Sequence, residues 1–194
     1  MTLDLFDMPA VPGLHTHPDV VTLAEEAALI AAIDGVDLAP FRFQQWTGKR
    51  LTHGFGWQYD FQSGALSRGA PMPDWLLPIR DRAAAATGLA PDTLVQALLL
   101  RYDPGAGIGW HRDRPIYDQV VGISLGAPAT MRFRRRDGER WRRANALLEP
   151  RGLYHLLGEV RHDWEHSIAP MDHVRWSITF RSFSRQGQRV AAAA

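Results

Sequence analysis

His111-Arg112-Asp113 follows the segment RYDPGAGIGW and precedes the apolar run QVVGISLG. In an extended segment residues i and i+2 point to one side, so this histidine and aspartate reach a common point from one strand end. The chemistry such a pair supports is metal ligation. A facial triad of two histidines and one carboxylate suits iron(II), leaves three positions open, and needs a second histidine from a distant part of the chain. The spacing is weak alone, because eight histidines and fifteen aspartates in 194 residues supply about 0.6 such pairs by chance. His17-Pro18-Asp19 is one further instance, in a Pro-rich N-terminal stretch. For the distant ligand, His155, His162, His166 and His173 are available. His155 lies inside an apolar strand, where a core role suits it better. His166 lies in RHDWEHSI, 55 residues after His111 and shortly before VRWSITFR.

That last run carries Arg175 and Arg181. An arginine inside an apolar strand is costly unless it meets an anion, so one strand offers two cationic forks suited to carboxylates. Arginine supplies all but one of the 22 basic residues, Lys49 being the exception. Residues 1–100 have a charge balance of −5 and residues 101–194 one of +6, with seven arginines between Arg132 and Arg143.

Cysteine is absent, which excludes a disulfide scaffold, a cysteine–zinc site, an iron–sulfur cluster and thiol catalysis. Any metal must be held by His, Asp and Glu. Apolar residues make up 45% and charged residues 22%, the balance of a soluble globular chain. No apolar run approaches the roughly 20 residues of a membrane helix, and the start MTLDLFDMPA is acidic where a signal peptide is basic. A cytoplasmic monomer is the expectation.

The elements that must position these residues change character along the chain. Residues 1–18 are Pro-rich and read as irregular. Thr22-Leu-Ala-Glu25 is a capping box ahead of the helical run AALIAAI. A second helix is expected over residues 74–87, bent or started late by Pro78 and ended by Gly88. From about residue 95, VQALLLRY, QVVGISLG, ATMRFRRR, GLYHLLG and VRWSITFRSF read as strands between Gly, Pro and Asp turns. Helices followed by short strands predict an α+β protein, its β part a sandwich or jelly roll with the helices packed on one sheet.

His111-x-Asp113, His166 and Arg175-x5-Arg181, with RYDPG before them and SLGAPATMRF between, resemble the AlkB family of iron(II)/2-oxoglutarate dioxygenases. The likeness spans about residues 95–183, with an echo in Phe55-Gly56-Trp57. It implies a double-stranded β-helix, a jelly-roll core over 95–185 preceded by helices and a lid over 1–94, in one domain of 1–194. It also implies that His111, Asp113 and His166 hold Fe(II) and that Arg175 pairs with the distal carboxylate of 2-oxoglutarate. Arg181 would sit nearer the iron, and Tyr102 would hydrogen-bond the cosubstrate. With O2, such an enzyme oxidatively removes alkyl groups from nucleic acid bases, releasing succinate, CO2 and an aldehyde, in repair or modification. One departure is Leu100, where well-known members have Asn two residues before the tyrosine.

In that family a lid grips a flipped nucleotide. Residues 41–62 offer Phe43, Trp46, Trp57 and Tyr59 for stacking on bases, against the alternative of aromatics packing the helix layer. RFRRRDGERWRR reads as a basic hairpin, and its Arg134 is a candidate phosphate contact on single-stranded DNA or RNA. A solvated edge hairpin is the alternative. Trp110 and Trp164 flank the ligands, as packing around the metal or as core. Rival readings are the same oxygenase acting on a protein side chain or small molecule, a nucleic-acid-binding module with an inert site, and a zinc or manganese hydrolase. The last leaves Arg175 and Arg181 without a role.

Overall fold

The computed structural model describes residues 11–43, 46–60 and 64–193, without the side chains of residues 42, 43 and 46. In chain order these form β1 (Leu14–His17), α1 (Leu23–Asp34), β2 (Ala39–Phe43), β3 (Trp46–Tyr59), β4 (Leu66–Arg68), α2 (Leu77–Thr87) and β5 (Leu94–Tyr102). Then follow β6 (Ile108–His111), β7 (Tyr117–Gly126), β8 (Ala129–Asp137), β9 (Arg140–Leu148) and β10 (Leu153–Leu156). The chain ends with α3 (Glu159–His162), β11 (Glu165–Ile168), β12 (Arg175–Phe183) and α4 (Arg185–Ala192). No helix among the described residues is long and apolar enough to cross a membrane.

Two antiparallel sheets make a jelly roll. The larger runs β1-β10-β7-β12-β5-β3-β2, with β4 added on β3, and the smaller runs β6-β11-β8-β9. Strand alternation decides what each face carries. On β12, Ile178 and Phe180 face outward into a core built with Leu29 and Ile33 of α1 and Ile79, Ala83 and Ala84 of α2. The intervening Arg175, Ser177, Thr179 and Arg181 therefore face the smaller sheet. Between the sheets, Val120, Met131, Phe133, Tyr154, Leu156, Trp164 and Ile168 form a second core.

The helices start and stop where local chemistry dictates. Thr22 accepts from the Glu25 amide at 3.2 Å while Glu25 accepts from the Thr22 amide at 2.8 Å, closing the capping box; such a cap contributes about 1 kcal/mol. Pro78 falls in the first turn of α2, which begins at Leu77 rather than near residue 74, and Gly88 ends it at φ 69°. Two expectations are corrected. Residues 1–18 are not wholly irregular, because Leu14–His17 pairs with Leu153–Leu156 and covers that edge. The mix of aromatics with Gly, Gln and basic groups over residues 41–62 suits short strands and loops, but Trp46–Tyr59 form one long strand, because β3 pairs with both β2 and β5. At Gly56, φ is 76° and a Cβ would lie 2.3 Å from the Val95 carbonyl oxygen. There β3 leaves β5 and turns to pair with β4, which carries Trp57 and Tyr59 away from the helix layer.

Candidate metal and anion site

Strands β6 and β11 pair with His111 directly opposite His166, and their ring centroids are 4.3 Å apart. Asp113 lies two residues past His111, beyond the strand end. One ligand atom from each of the three falls within 4.8 Å of the others, a group able to hold a metal ion. Spacing alone left the distant histidine open and the family resemblance pointed to His166; strand pairing sets His166 opposite His111. His155 instead sits buried and bonded to Gln119 at 2.7 Å, burial with His15 and His17 pushing its pKa down to about 4. His162 pairs with Asp118 at 3.2 Å, His173 is exposed, and Asp19 pairs with Arg151.

Protonation suits ligation. Burial, with His111 adding to it, pushes the His166 pKa down to about 3, and burial also lowers that of His111. Both rings are neutral at pH 7, as metal binding requires. His111 Nδ1 donates to the Gly109 carbonyl at 2.9 Å, which leaves Nε2 free as a ligand. Burial pushes the Asp113 carboxyl up, but Arg181, His166 and His111 outweigh it and hold it below the usual range.

Arg181 clamps that carboxylate. Its Nε and Nη2 donate to Asp113 Oδ1 at 3.0 and 2.9 Å. Its Nη1 donates to Gln96 Oε1 at 2.8 Å, and Gln96 Nε2 donates to the Trp57 carbonyl at 2.7 Å. Gln96 thus ties the triad aspartate to the strand that borders it, a link the sequence reading missed. Its signal is one amide in the apolar run VQALLLRY. Gln96→Leu keeps the shape but leaves a buried guanidinium N–H and a carbonyl without this partner. We expect a stability loss of about 1–3 kcal/mol and a fall in turnover with metal affinity near wild type, read by melting and by metal titration. Unchanged melting would remove this link.

Arg175 is 1% exposed and opposite Tyr102. Its Nε donates to Ser124 Oγ at 3.1 Å, while Nη2 has no partner, and neither has the buried Ser177 Oγ on the same strand face. The Tyr102 ring lies 5.3 Å from the Arg175 guanidinium. Burial raises the Tyr102 pKa, so its hydroxyl is a neutral donor. Buried groups of this kind lacking partners fit an anion. Two further buried arginines were missed. Arg50 of β3 stacks on Phe41 at 4.1 Å with its Nε unpartnered, within electrostatic reach of Tyr102, Arg181 and Asp113. Arg161 donates to the carbonyls of Arg114 and Tyr117 at 2.7 and 2.6 Å, fastening the segment after Asp113.

The expected lid residues divide. Trp57 meets Phe183 edge-on at 5.5 Å under Arg68, and Tyr59 lies beneath Arg114. Both pack on Leu66, Ile116 and Tyr117. Phe43 and Trp46 pair on the hairpin backbone, and their side chains lie outside the described residues. Arg134 points to the outer face of the smaller sheet, ion-paired with Glu165. Trp164 is core, and Trp110 lies beside Arg132 and Arg134.

The profile of the 2OG-Fe(II) oxygenase superfamily matches residues 39–186. The "Alkylated DNA repair protein ALKBH8 homolog" of Arabidopsis thaliana is 28% identical over 203 residues, covering 90% of this chain and 56% of that protein. The mouse "tRNA (carboxymethyluridine(34)-5-O)-methyltransferase ALKBH8" is 26% identical over 178 residues, covering 88% of this chain and 26% of that one. The chain thus spans about half and about a quarter of their lengths. Among solved structures, OsALKBH1 superposes with a TM-score of 0.66 at 15% identity, covering 89% of this chain and 97% of that one.

Proposed function

Because the chain belongs to the 2OG-Fe(II) oxygenase superfamily, we propose that it is an AlkB-type dioxygenase that oxidises an alkyl group on a nucleic acid base. His111, Asp113 and His166 hold Fe(II), for which two neutral imidazoles and a carboxylate are a fitting donor set. When bound, iron with O2 couples the conversion of 2-oxoglutarate to succinate and CO2 to oxidation of a substrate C–H bond. On an N-alkyl base the resulting hydroxyalkyl group collapses to an aldehyde and the free base.

The protein's own work is placement. Arg175 Nη2 and Ser177 Oγ receive the distal carboxylate of 2-oxoglutarate, with the Tyr102 hydroxyl donating beside them. Arg181 keeps Asp113 ionised and oriented, and the His111 Nδ1 bond fixes that ring. The observation that carries the reading is the pair of buried, unpartnered polar atoms on the β12 face, facing the same interior as the triad. Nucleic acid as substrate is supported by the relatives' names, which attach them to DNA repair and to tRNA. Trp57 and Tyr59, on the strand tied to Arg181 through Gln96, are the stacking candidates on the bordering strand.

The test is succinate release by iron-loaded protein with 2-oxoglutarate and oxygen, with and without methylated single-stranded oligonucleotides. Strong stimulation with formaldehyde release is expected. Slow, unstimulated succinate formation would retain the oxygenase and reject nucleic acid as substrate. No turnover would reject the enzyme.

A further inference from the structure

The outer face of the smaller sheet carries a feature that the proposed reaction does not use. Alternation on β8 sends Met131 and Phe133 into the core between the sheets, so Arg132, Arg134 and Arg136 stand on the opposite face. Trp110 of β6 and Trp141 of β9 rise between them. The guanidinium of Arg132 is 5.3 Å from the Trp110 ring centre, and that of Arg134 is 4.4 Å from Trp110 and 4.4 Å from Trp141. The Arg136 guanidinium is 4.4 Å from Trp141. The five side chains form one continuous ladder across three strands: Arg132, Trp110, Arg134, Trp141, Arg136.

Its charge is barely compensated. Arg134 pairs with Glu165. Among the described residues, Arg132 donates only to the Ser167 hydroxyl and Arg136 only to the Glu139 carbonyl. Arg143 is exposed and lies directly across from Arg134 in the β8–β9 register, a like-charge pairing that costs stability. Stacking on indole faces fixes the guanidinium planes, and stacked guanidinia still offer their N–H edges to oxygen acceptors. Successive same-face residues of a strand are roughly 6.6–6.8 Å apart, so these edges form a regular row of donors. A row of stacked forks, its two outer members without a carboxylate partner among the described residues, is suited to repeated phosphates.

We propose that this ladder is a docking surface for the phosphate backbone of a nucleic acid, separate from the mouth of the site. His111 faces the interior while its neighbour Trp110 faces the ladder, so the two surfaces lie on opposite sides of one strand. The partner this placement fits is a folded nucleic acid, able to lay backbone on the ladder while another part of it reaches the interior site. The inference rests on the nucleic-acid reading for its partner class, yet it is tested without catalysis.

The experiment is fluorescence anisotropy of the intact protein with a labelled, unmodified RNA hairpin across a salt series. Arg132→Gln/Arg136→Gln/Arg143→Gln is the comparison, sparing Arg134 and its ion pair. Expected are binding that weakens steeply with salt, a loss of roughly tenfold or more in the variant, and a salt slope smaller by about two to three. Succinate formation with a methylated nucleoside should match wild type, since no substituted residue touches the site. Equal affinity and slope in variant and wild type would overturn the proposal, as would salt-insensitive binding by wild type alone. Polyglutamate that binds as tightly as the hairpin, with the same loss in the variant, would overturn it in favour of an acidic protein partner. Arginine-dependent RNA binding by a protein that methylated strands do not stimulate would uphold the ladder and reject the proposed substrate.

Discussion

Asp113→Ala is expected to abolish 2-oxoglutarate turnover and also to lower stability by about 3–5 kcal/mol, the cost of stranding a buried ionic partner. The two effects come from two contacts. Loss of the carboxylate removes one of the three proposed metal ligands. It also leaves the Arg181 fork, whose side chain is 14% exposed, without the oxygen that accepts from both Nε and Nη2. For a chain of this length the melting point should fall on the order of 10 °C. His166→Ala removes a ligand without stranding a charge, because burial keeps that ring neutral; its turnover is lost with a smaller melting shift. Asp113→Ala/Arg181→Met should regain most of the lost stability and none of the activity. Metal titration, succinate assay and thermal melting together decide it. Wild-type turnover in either single variant would reject the triad.

Arg175→Ala is expected to act in the opposite sense on stability. Its guanidinium is buried with Nη2 unpartnered, so truncation removes an uncompensated charge and the free protein melts no lower than wild type. The same change removes the proposed charge-assisted contact to the cosubstrate. At about 3–4 kcal/mol for a buried charged pair, the 2-oxoglutarate KM rises roughly 100- to 1000-fold while metal affinity stays close to wild type. Arg175→Lys recovers only part, because an ammonium cannot reproduce a two-pronged contact. An unchanged cosubstrate dependence would move the carboxylate to Arg50 or Arg181, the other interior cations. A marked loss of stability would mean that Arg175 is a structural residue.

The chemistry was more legible than the geometry that delivers it. Arg175 and Arg181 stand out because a charge every six residues in RWSITFR violates the apolar pattern of a buried strand. The choice of His166 was not legible from spacing, because β6 and β11 are four residues each, too short for a periodic signal. Their antiparallel register decides which histidine meets His111. Gln96 and Arg50 escaped notice for a related reason. One polar residue on a mixed strand carries no signal until the strands beside it are known, and only then do both face the interior. β1 was hidden between Pro12 and Pro18, since LHTH becomes a strand only through pairing with β10. Arg134 read as a phosphate contact from composition, and alternation against Phe133 sets it on the far side of the sheet from His166, away from the triad.

The pairing of β1 with β10 has a consequence for the order in which the molecule is made. Leu14 meets Leu156 across about 140 residues of intervening chain, and closing so long a loop carries an entropic cost before any contact repays it. During synthesis the first strand must wait until residues 153–156 have emerged, and His111 must likewise wait for His166. Assembly dominated by such distant partners is slow. The strand that closes the β10 edge and the first histidine of the triad thus both find their partners late, once residues 153–168 have emerged.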